Sequence, residues 1–406
     1  MSTYTPTLAE RTQPSEQWIE QIRANYPVES AIDEVFTRKL HNRRKPVEHT
    51  MDFSKLQEPL LHFLQGETGQ SDITVENLKR LSGGASKEQF TFDLNWQPEP
   101  GLRETTRLMI RMDPTESIVE THRLRECQIL QAMWGEVPVP QVLWIDPLGE
   151  KLGHPALIAS FLEGTVQPEQ PANSEKMSGV GMYFNPELRA GLSQQFVDIL
   201  AKIHAIDWRK KDLSTFDIPE PNSTQANEWA IGLWERAWNE DALSAHPIME
   251  RAVLWLKENM PVVDKPVIIH GDYRTGNFMY TDALEINAIF DWELAYFGDY
   301  HDDLSWATLG LFGGNDEAGN PLASSLMPQS DFLARYERAS GNKVDMKTLA
   351  YYHIFSYYKI AVITAATSVR VAHSRRTHLD AMMNFASGLG SVAISELNRL
   401  LDKATG

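Results

Sequence analysis

The chain has few cysteines and no long apolar run. Cys127 is its single cysteine among 406 residues, which rules out an internal disulfide and fits a reducing compartment. No stretch of eighteen apolar residues occurs, so no transmembrane helix is expected. The opening residues, MSTYTPTLAERTQ, lack the basic start and apolar core of a signal peptide. The sequence therefore predicts a cytoplasmic protein that does not act in a membrane.

Basic residues are also in deficit. The chain carries 38 Lys and Arg against 55 Asp and Glu, a net charge of −17. This balance argues against nucleic acid or an anionic membrane as a main partner, although it says little about a local nucleotide pocket. The length is too great for most single hydrophobic cores and suits two lobes.

Acidic residues follow two short apolar runs in the stretch from Val267 to Asp299. The runs 267–269 and 288–290 have strand length, and each ends directly in a polar group: His-Gly-Asp at 270–272 and Asp-Trp-Glu at 291–293. We expect a β-hairpin that places both acids at the mouth of a cleft. Asp272 could accept a proton from a hydroxyl group, while Asn277 and Asp291 supply hard oxygen ligands for Mg²⁺.

The spacing H-G-D-x-x-x-x-N with a second Asp resembles the catalytic loop and metal-binding Asp of the protein-kinase-like fold. With Gly after His and Asp-Trp-Glu as the second motif, the chain is similar to the aminoglycoside phosphotransferase and choline kinase relatives. The phrases HGDYRTGNF and IFDWELAYFGD are closer still to the phosphotransferase domain linked to acyl-CoA dehydrogenases. An Asp after a strand is often a simple turn residue, but five residues at the right intervals argue against that interpretation.

The resemblance covers roughly residues 73–376 and implies an α+β, bilobal fold. It implies a small β-rich nucleotide-binding lobe (71–162) and a large, mainly helical catalytic and substrate-binding lobe (163–406). Residues 1–70, which the resemblance does not clearly cover, are expected to form a helical N-terminal extension, because their apolar residues recur on helical faces. The extension is expected to pack on the core or to mediate oligomerisation, with a homodimer as the candidate assembly. Its basic run HNRRK (41–45) fits an anion-binding patch or, as we favour, a solvated helix end.

The small lobe provides the candidate nucleotide contacts. A turn of small residues between two predicted strands resembles the phosphate-covering loop of the family: Ser82, Gly83, Gly84, Ala85 and Ser86. Arg111 stands on the next strand, where protein kinases carry a lysine, and Glu126 of the following helix is its expected partner. The resemblance also places backbone contacts to adenine at the interlobe hinge, Ser160, Phe161 and Leu162.

Further residues of the large lobe have two interpretations each. In the family pattern, His204 is a core histidine, which we favour over a catalytic role. Asp303 there caps a helix and braces the catalytic loop, which we favour over a second metal site with His301 and Asp302. Asp302 is extra and is expected to face the substrate. Glu293 is either an acid beside the metal or a support for the metal ligand, and the sequence leaves both open.

Aromatic residues crowd one helix near Tyr351, and it ends in Arg370, His373, Arg375 and Arg376. An aromatic run of this kind more often forms core than pocket. As a substrate wall ending in arginines, it would suit a substrate with an apolar body and an anionic end, whereas a polycationic aminoglycoside would prefer clustered acids.

These features predict an ATP- and Mg²⁺-dependent O-phosphotransferase that phosphorylates a hydroxyl of a small molecule. A hydroxyacyl-CoA or a hydroxy acid derivative is the first candidate for the acceptor. An aminoglycoside or another small alcohol is the alternative, as is a catalytically silent nucleotide-binding scaffold, because the lysine is missing. A nucleic-acid-binding regulator is disfavoured by the charge.

Overall fold

The protein consists of a β-rich lobe followed by a larger helical lobe. The computed structural model describes residues 7–45, 55–81, 87–114, 117–170, 182–374 and 380–406, with side chains described for all of these except 373, 374 and 380–387. Five strands of the small lobe form one antiparallel sheet in the order β1-β2-β3-β5-β4. They are β1 (Thr74–Arg80), β2 (Glu88–Glu99), β3 (Leu102–Met112), β4 (Val142–Asp146) and β5 (Ala156–Ser160).

Helices make up most of the remainder. Those before and within the small lobe are α1 (Leu8–Thr12), α2 (Glu16–Asn25), α3 (Ser30–Arg43), α4 (Gln57–Thr68) and α5 (Arg123–Met133). Those of the large lobe are α6 (Pro186–Ala205), α7 (Gln225–Asp241), α8 (Pro247–Glu258), α9 (His301–Ala307), α10 (Gln329–Ser340), α11 (Met346–Ala361), α12 (Ser368–Ser374) and α13 (Asp380–Thr405). In the described part of the chain, no helix has the length and apolarity needed to cross a membrane.

The small-lobe sheet forms because its apolar side chains recur with the period of a strand. Phe90, Phe92 and Leu94 alternate along β2 and are buried, as expected where one face of a strand meets a core. Helix α4 covers this face with Leu60 and Leu64. The strands predicted on both sides of the small-residue turn and at Arg111 are confirmed as β1, β2 and β3.

The two apolar runs that lead into the acidic motifs do not pair with each other, so the predicted hairpin is wrong. Strand β6 (Val267–Ile269) pairs with β9 (Tyr296–Gly298), and β7 (Phe278–Tyr280) pairs with β8 (Ile286–Ile289). The loop 270–277 separates the two ladders. The physical reason is that residues 278–280 offer a nearer partner to β8, across a short turn, than the run at 267–269 does.

The N-terminal helices pack on the large lobe. Ile32 and Phe36 of α3 belong to the same apolar core as α7 and α11. Arg43 is buried and donates to the Glu240 carbonyl at 3.0 Å, so the favoured interpretation of residues 41–45 as a solvated helix end is wrong for this residue. Helix α4 instead packs with the sheet. The division of the chain at residue 70 stays a prediction.

Candidate active site

Asp272 lies in the loop after β6, and its carboxylate is oriented by three donors. The Arg274 Nε lies 2.8 Å and the Trp306 Nε1 2.6 Å from its Oδ1 atom. The Asn277 Nδ2 lies 2.6 Å from its Oδ2 atom. The side chain keeps 18% exposure. A carboxylate fixed in this way, yet open to solvent, can meet an incoming hydroxyl group in a defined orientation.

The shape of the loop depends on Gly271. Its φ is +83°, and a Cβ atom there would lie 2.6 Å from the Leu294 carbonyl oxygen. Both the left-handed backbone and this close approach require glycine. The Lys359 ammonium donates to the Gly271 carbonyl at 3.0 Å, so neighbouring elements hold the peptide on both sides.

Asp303 holds the backbone of the loop through two hydrogen bonds. Its carboxylate accepts hydrogen bonds from the backbone N–H groups of His270 and Gly271, both at 2.8 Å. Burial by itself would raise the pKa of Asp303, but the hydrogen bond with His204 and the nearby His270 hold it below the usual value. The predicted bracing is confirmed, whereas the predicted capping is wrong because Asp303 lies inside α9. His204 is buried between Asp303 (3.1 Å) and Tyr336 (2.7 Å), as expected of a core histidine.

His270 connects the two acidic motifs. Its Nε2 atom lies 2.8 Å from the carbonyl oxygen of Phe290, the residue before Asp291, and its Nδ1 atom accepts from the Asp272 N–H at 3.2 Å. Burial lowers the pKa of His270 below its ordinary value. The neutral ring therefore donates through Nε2 and accepts through Nδ1, which fixes the distance between the loop and Asp291.

Asp291 faces Arg111 of the small lobe. Its backbone is left-handed, with φ 59°, and its Oδ1 atom lies 2.7 Å from the Arg111 Nη2 atom. Burial would raise the pKa of Asp291, but the Arg111 guanidinium holds it below the ordinary value, so the group is ionised near neutral pH.

The donor set fits a magnesium ion. The Asp291 carboxylate and the Asn277 amide oxygen are hard ligands, and the Asn277 amide nitrogen is engaged by Asp272, which leaves the oxygen as the ligating atom. Within the described ranges, no group of three or more His, Cys, Asp and Glu side chains is arranged to hold a metal. Two protein ligands suffice for Mg²⁺ when phosphates and water complete its shell.

Some of the residues predicted to contact the nucleotide lie in the described part of the chain. Arg111 is buried, and its Nε atom lies 3.4 Å from the Glu126 carboxylate, so the structure brings these two predicted residues together. Glu293 lies 3.4 Å from the Arg111 Nη2 atom. Ser160 ends β5, and the Phe161 N–H donates to the Arg107 carbonyl at 3.4 Å. The predicted phosphate turn, residues 82–86, lies outside the described residues.

Of two expectations about charged residues on the substrate side, the one for Asp302 stays a prediction and the one for Arg370 is wrong. Asp302 is fully buried, accepts from the Tyr296 hydroxyl at 2.8 Å, lies 3.6 Å from the Lys359 ammonium and lines the apolar cavity beside Glu293. Arg370 is buried against Asp241, with its Nε atom 2.8 Å from the carboxylate, because α12 packs inward. His373, Arg375 and Arg376 lie outside the described side chains.

Arg274, Trp306 and Lys87 had no assigned role. A basic residue two positions after the candidate catalytic Asp was a usable signal for Arg274. Trp306 stands three residues after Asp303, which puts both on one helical face. Lys87 directly follows the small-residue turn, and its ammonium lies 3.5 Å from Glu293. That contact joins residues about two hundred positions apart, so no local pattern indicates it.

A mainly apolar cavity of about 60 Å³ lies next to the Asp-Trp-Glu motif. Helices α3, α7 and α11 and the segment 293–296 enclose it. Its apolar wall includes Ile32, Phe36, Trp229, Leu233, Leu294 and Phe355. Charged groups at its edge are already paired, among them Glu29 with Arg125 at 2.7 Å and Lys359 with Asp302 at 3.6 Å.

Residues 78–343, about two thirds of the chain, match the phosphotransferase enzyme family. The chain belongs to this family. A mouse relative, acyl-CoA dehydrogenase family member 10, is 24% identical over 279 residues, which are 66% of this chain and 23% of that protein. The chain thus spans about a quarter of that relative's length.

Solved structures show the same kinase-like fold. One is a Ralstonia eutropha protein assigned to the aminoglycoside phosphotransferases, with a TM-score of 0.56 and 21% identity over 84% of this chain and 98% of that one. Another is an aminoglycoside phosphotransferase solved with ADP and hygromycin B, with a TM-score of 0.52 and 15% identity over 86% of this chain and 99% of that one. The bilobal α+β architecture is that of this family.

Proposed function

We propose that the chain is an ATP- and Mg²⁺-dependent O-phosphotransferase that acts on a hydroxyl group of a small molecule. One observation carries the proposal: Asn277 joins the two acidic motifs. Its side chain donates to Asp272 at 2.6 Å, and its backbone carbonyl accepts from the N–H of Phe290, the residue before Asp291, at 2.8 Å, while Asp291 pairs with a small-lobe arginine at 2.7 Å. A base for the acceptor, oxygen ligands for a metal and a cation for phosphates are the groups that phosphoryl transfer requires.

Each residue has a defined task in this reaction. Asp272 orients the acceptor hydroxyl and takes its proton as the γ-phosphoryl group is transferred. Trp306 and Asn277 keep the carboxylate in place, and Arg274, 2.8 Å from it, supplies positive charge on the acceptor side. Asn277 and Asp291 would hold Mg²⁺, which, when bound, neutralises charge on the phosphates.

The nucleotide is proposed to lie between the lobes. Arg111 would meet the triphosphate, and the turn 82–86 and the backbone of 160–162 would contact the phosphates and adenine. The ADP in the solved relative supports a nucleotide in this fold. Arg111 can bind two phosphate oxygens at once, which a lysine cannot do in the same geometry.

For the acceptor we propose an alcohol with an apolar body, with a hydroxyacyl-CoA or a hydroxy acid derivative as the first candidate. The apolar cavity beside Glu293 would take only a short apolar portion of the acceptor. Its charged edge groups are paired with one another and have little to offer a polycation. The similarity to an acyl-CoA dehydrogenase family member supports acyl chemistry.

The test is MgATP consumption across a panel of acceptors: 3-, 4- and 5-hydroxyacyl-CoAs, their free acids, aminoglycosides, choline and an apolar alcohol. We expect turnover with the acyl class, and a loss of about 10²- to 10⁴-fold in D272A. D282A removes an exposed Asp ten residues away and is the matched control. Turnover of aminoglycosides alone would overturn the acceptor assignment. Full activity in D272A would overturn the role of Asp272.

A further inference from the structure

Three basic and three acidic side chains form a closed ring in the cleft, which we call the cleft ring. Its members, in order around the ring, are Lys87, Asp113, Arg123, Glu126, Arg111 and Glu293. Positive and negative groups alternate. Five members belong to the small lobe, and Glu293 belongs to the large lobe. The ring therefore joins the lobes at a residue two positions after Asp291.

Lys87 closes this ring. Its ammonium lies 3.2 Å from the Asp113 carboxylate and 3.5 Å from Glu293, and its side chain has no solvent exposure. The same ammonium donates to the Val119 carbonyl at 3.1 Å. A fully buried ammonium is stable only with such partners, so Lys87 is fixed in position rather than mobile on the surface.

The contacts of Arg111 explain why a second cation is needed. Its guanidinium faces three carboxylates: Glu126 at 3.4 Å, Asp291 at 2.7 Å and Glu293 at 3.4 Å. The Glu293 oxygen that meets Arg111 is the one that meets Lys87, Oε2. Without Lys87, that carboxylate would lose one of its two cations in the ring, and more of its negative charge would stand beside the phosphates of a nucleotide.

We propose that Lys87 is a positioning residue for nucleotide phosphates and that it acts through Glu293. By sharing this carboxylate, Lys87 reduces the negative charge that competes with the triphosphate for Arg111. The inference rests on the proposed function, since it requires a nucleotide at Arg111. It also gives the chain a second cation in the cleft, in addition to the arginine that stands where protein kinases have a lysine.

The test is the Kd of MgATP, and of ADP without metal, measured by calorimetry for the wild-type chain and its variants. The K87M variant is expected to bind MgATP and ADP about tenfold more weakly than the wild-type chain. This is the effect of losing one close charge interaction worth roughly 1.4 kcal/mol. K87R keeps the charge and should stay near the wild-type value. K79M, on an exposed position of β1, is the control and should leave both constants unchanged.

The double variant K87M/E293Q separates a charge-balancing role from a merely structural one. Removing the unbalanced carboxylate should restore most of the lost affinity, whereas a structural role predicts that the double variant binds no better than K87M. If K87M does not fold, E293Q alone decides: it should bind ADP at least as tightly as the wild-type chain, and weaker binding overturns the proposal. If the wild-type chain binds MgATP and K87M has the same Kd values, this inference is wrong and the proposed function is unaffected. No MgATP binding by the wild-type chain overturns the proposed function and this inference with it.

Discussion

Asp291 combines a left-handed backbone with a charged side chain turned towards the other lobe. Non-glycine residues rarely take φ near +59°, and Asp and Asn tolerate it better than most because their short polar side chains bond locally. The carboxylate is 37% exposed and pairs with Arg111. The residue thus holds local strain at a candidate metal ligand, a common location for such strain.

This geometry makes D291N an informative change. Asparagine keeps the shape and the tolerance for a left-handed backbone but removes the charge, so we expect a folded protein without Mg²⁺-supported turnover. D291A should lose turnover too and be less stable by about 1 kcal/mol, because alanine is poorer at this φ. Thermal melts and MgATP turnover measure both effects. A folded D291N with full activity would contradict the metal-ligand role.

At the scale of elements, the loop 270–277 is held by contacts from α9 and from the segment around Asp291. Gly271 packs against the Leu294 carbonyl, Asp303 accepts its N–H, and His270 reaches the Phe290 carbonyl. These contacts couple the position of the loop to that of Asp291. A change that displaces one should displace the other.

G271A tests this coupling, with G101A as a matched control. The two glycines have nearly the same φ, +83° and +84°, but a Cβ atom at Gly101 would meet nothing within 4 Å. Both changes should cost about 1–2 kcal/mol for the backbone, and G271A should cost roughly 1–3 kcal/mol more from the clash. Denaturant unfolding gives the difference. Equal destabilisation of the two variants would show that the loop gives way without strain.

At the scale of the whole molecule, buried charges attach the N-terminal helices to the large lobe. Asp241 of α7 is fully buried and meets Arg43 and Lys39 of α3, the latter at 3.3 Å, and Arg370 of α12 at 2.8 Å. Three segments distant in sequence meet at one carboxylate. Removing one partner of such a cluster leaves buried charge without compensation.

D241N should lower the free energy of unfolding by about 3–5 kcal/mol. D402N breaks the exposed Arg251–Asp402 pair and, as the control, should change the free energy of unfolding by less than about 0.5 kcal/mol.

Burial would raise the pKa of Asp241, but Arg370, Lys39 and Arg43 hold it below the ordinary value. The unfolded state therefore binds more protons in acid, so the stabilisation is complete above about pH 4 and is lost as the pH falls further. Urea unfolding across pH should show a shallower acid loss in D241N, and an unchanged slope would contradict this account.

The sequence by itself determined which residues are candidates for the site, and its resemblance to the family indicated the type of each lobe. Asp272, Asn277 and Asp291 could be chosen because their spacing is local, and small-lobe strands could be predicted beside the small-residue turn and at Arg111. Tertiary structure decided which elements meet. The pairing of β6 with β9, the contact of Arg111 with Asp291 across 180 residues and the closure of the cleft ring by Lys87 all join distant segments. Local sequence patterns do not predict such contacts, because the contacts form only where the packing of the two lobes brings the partners together.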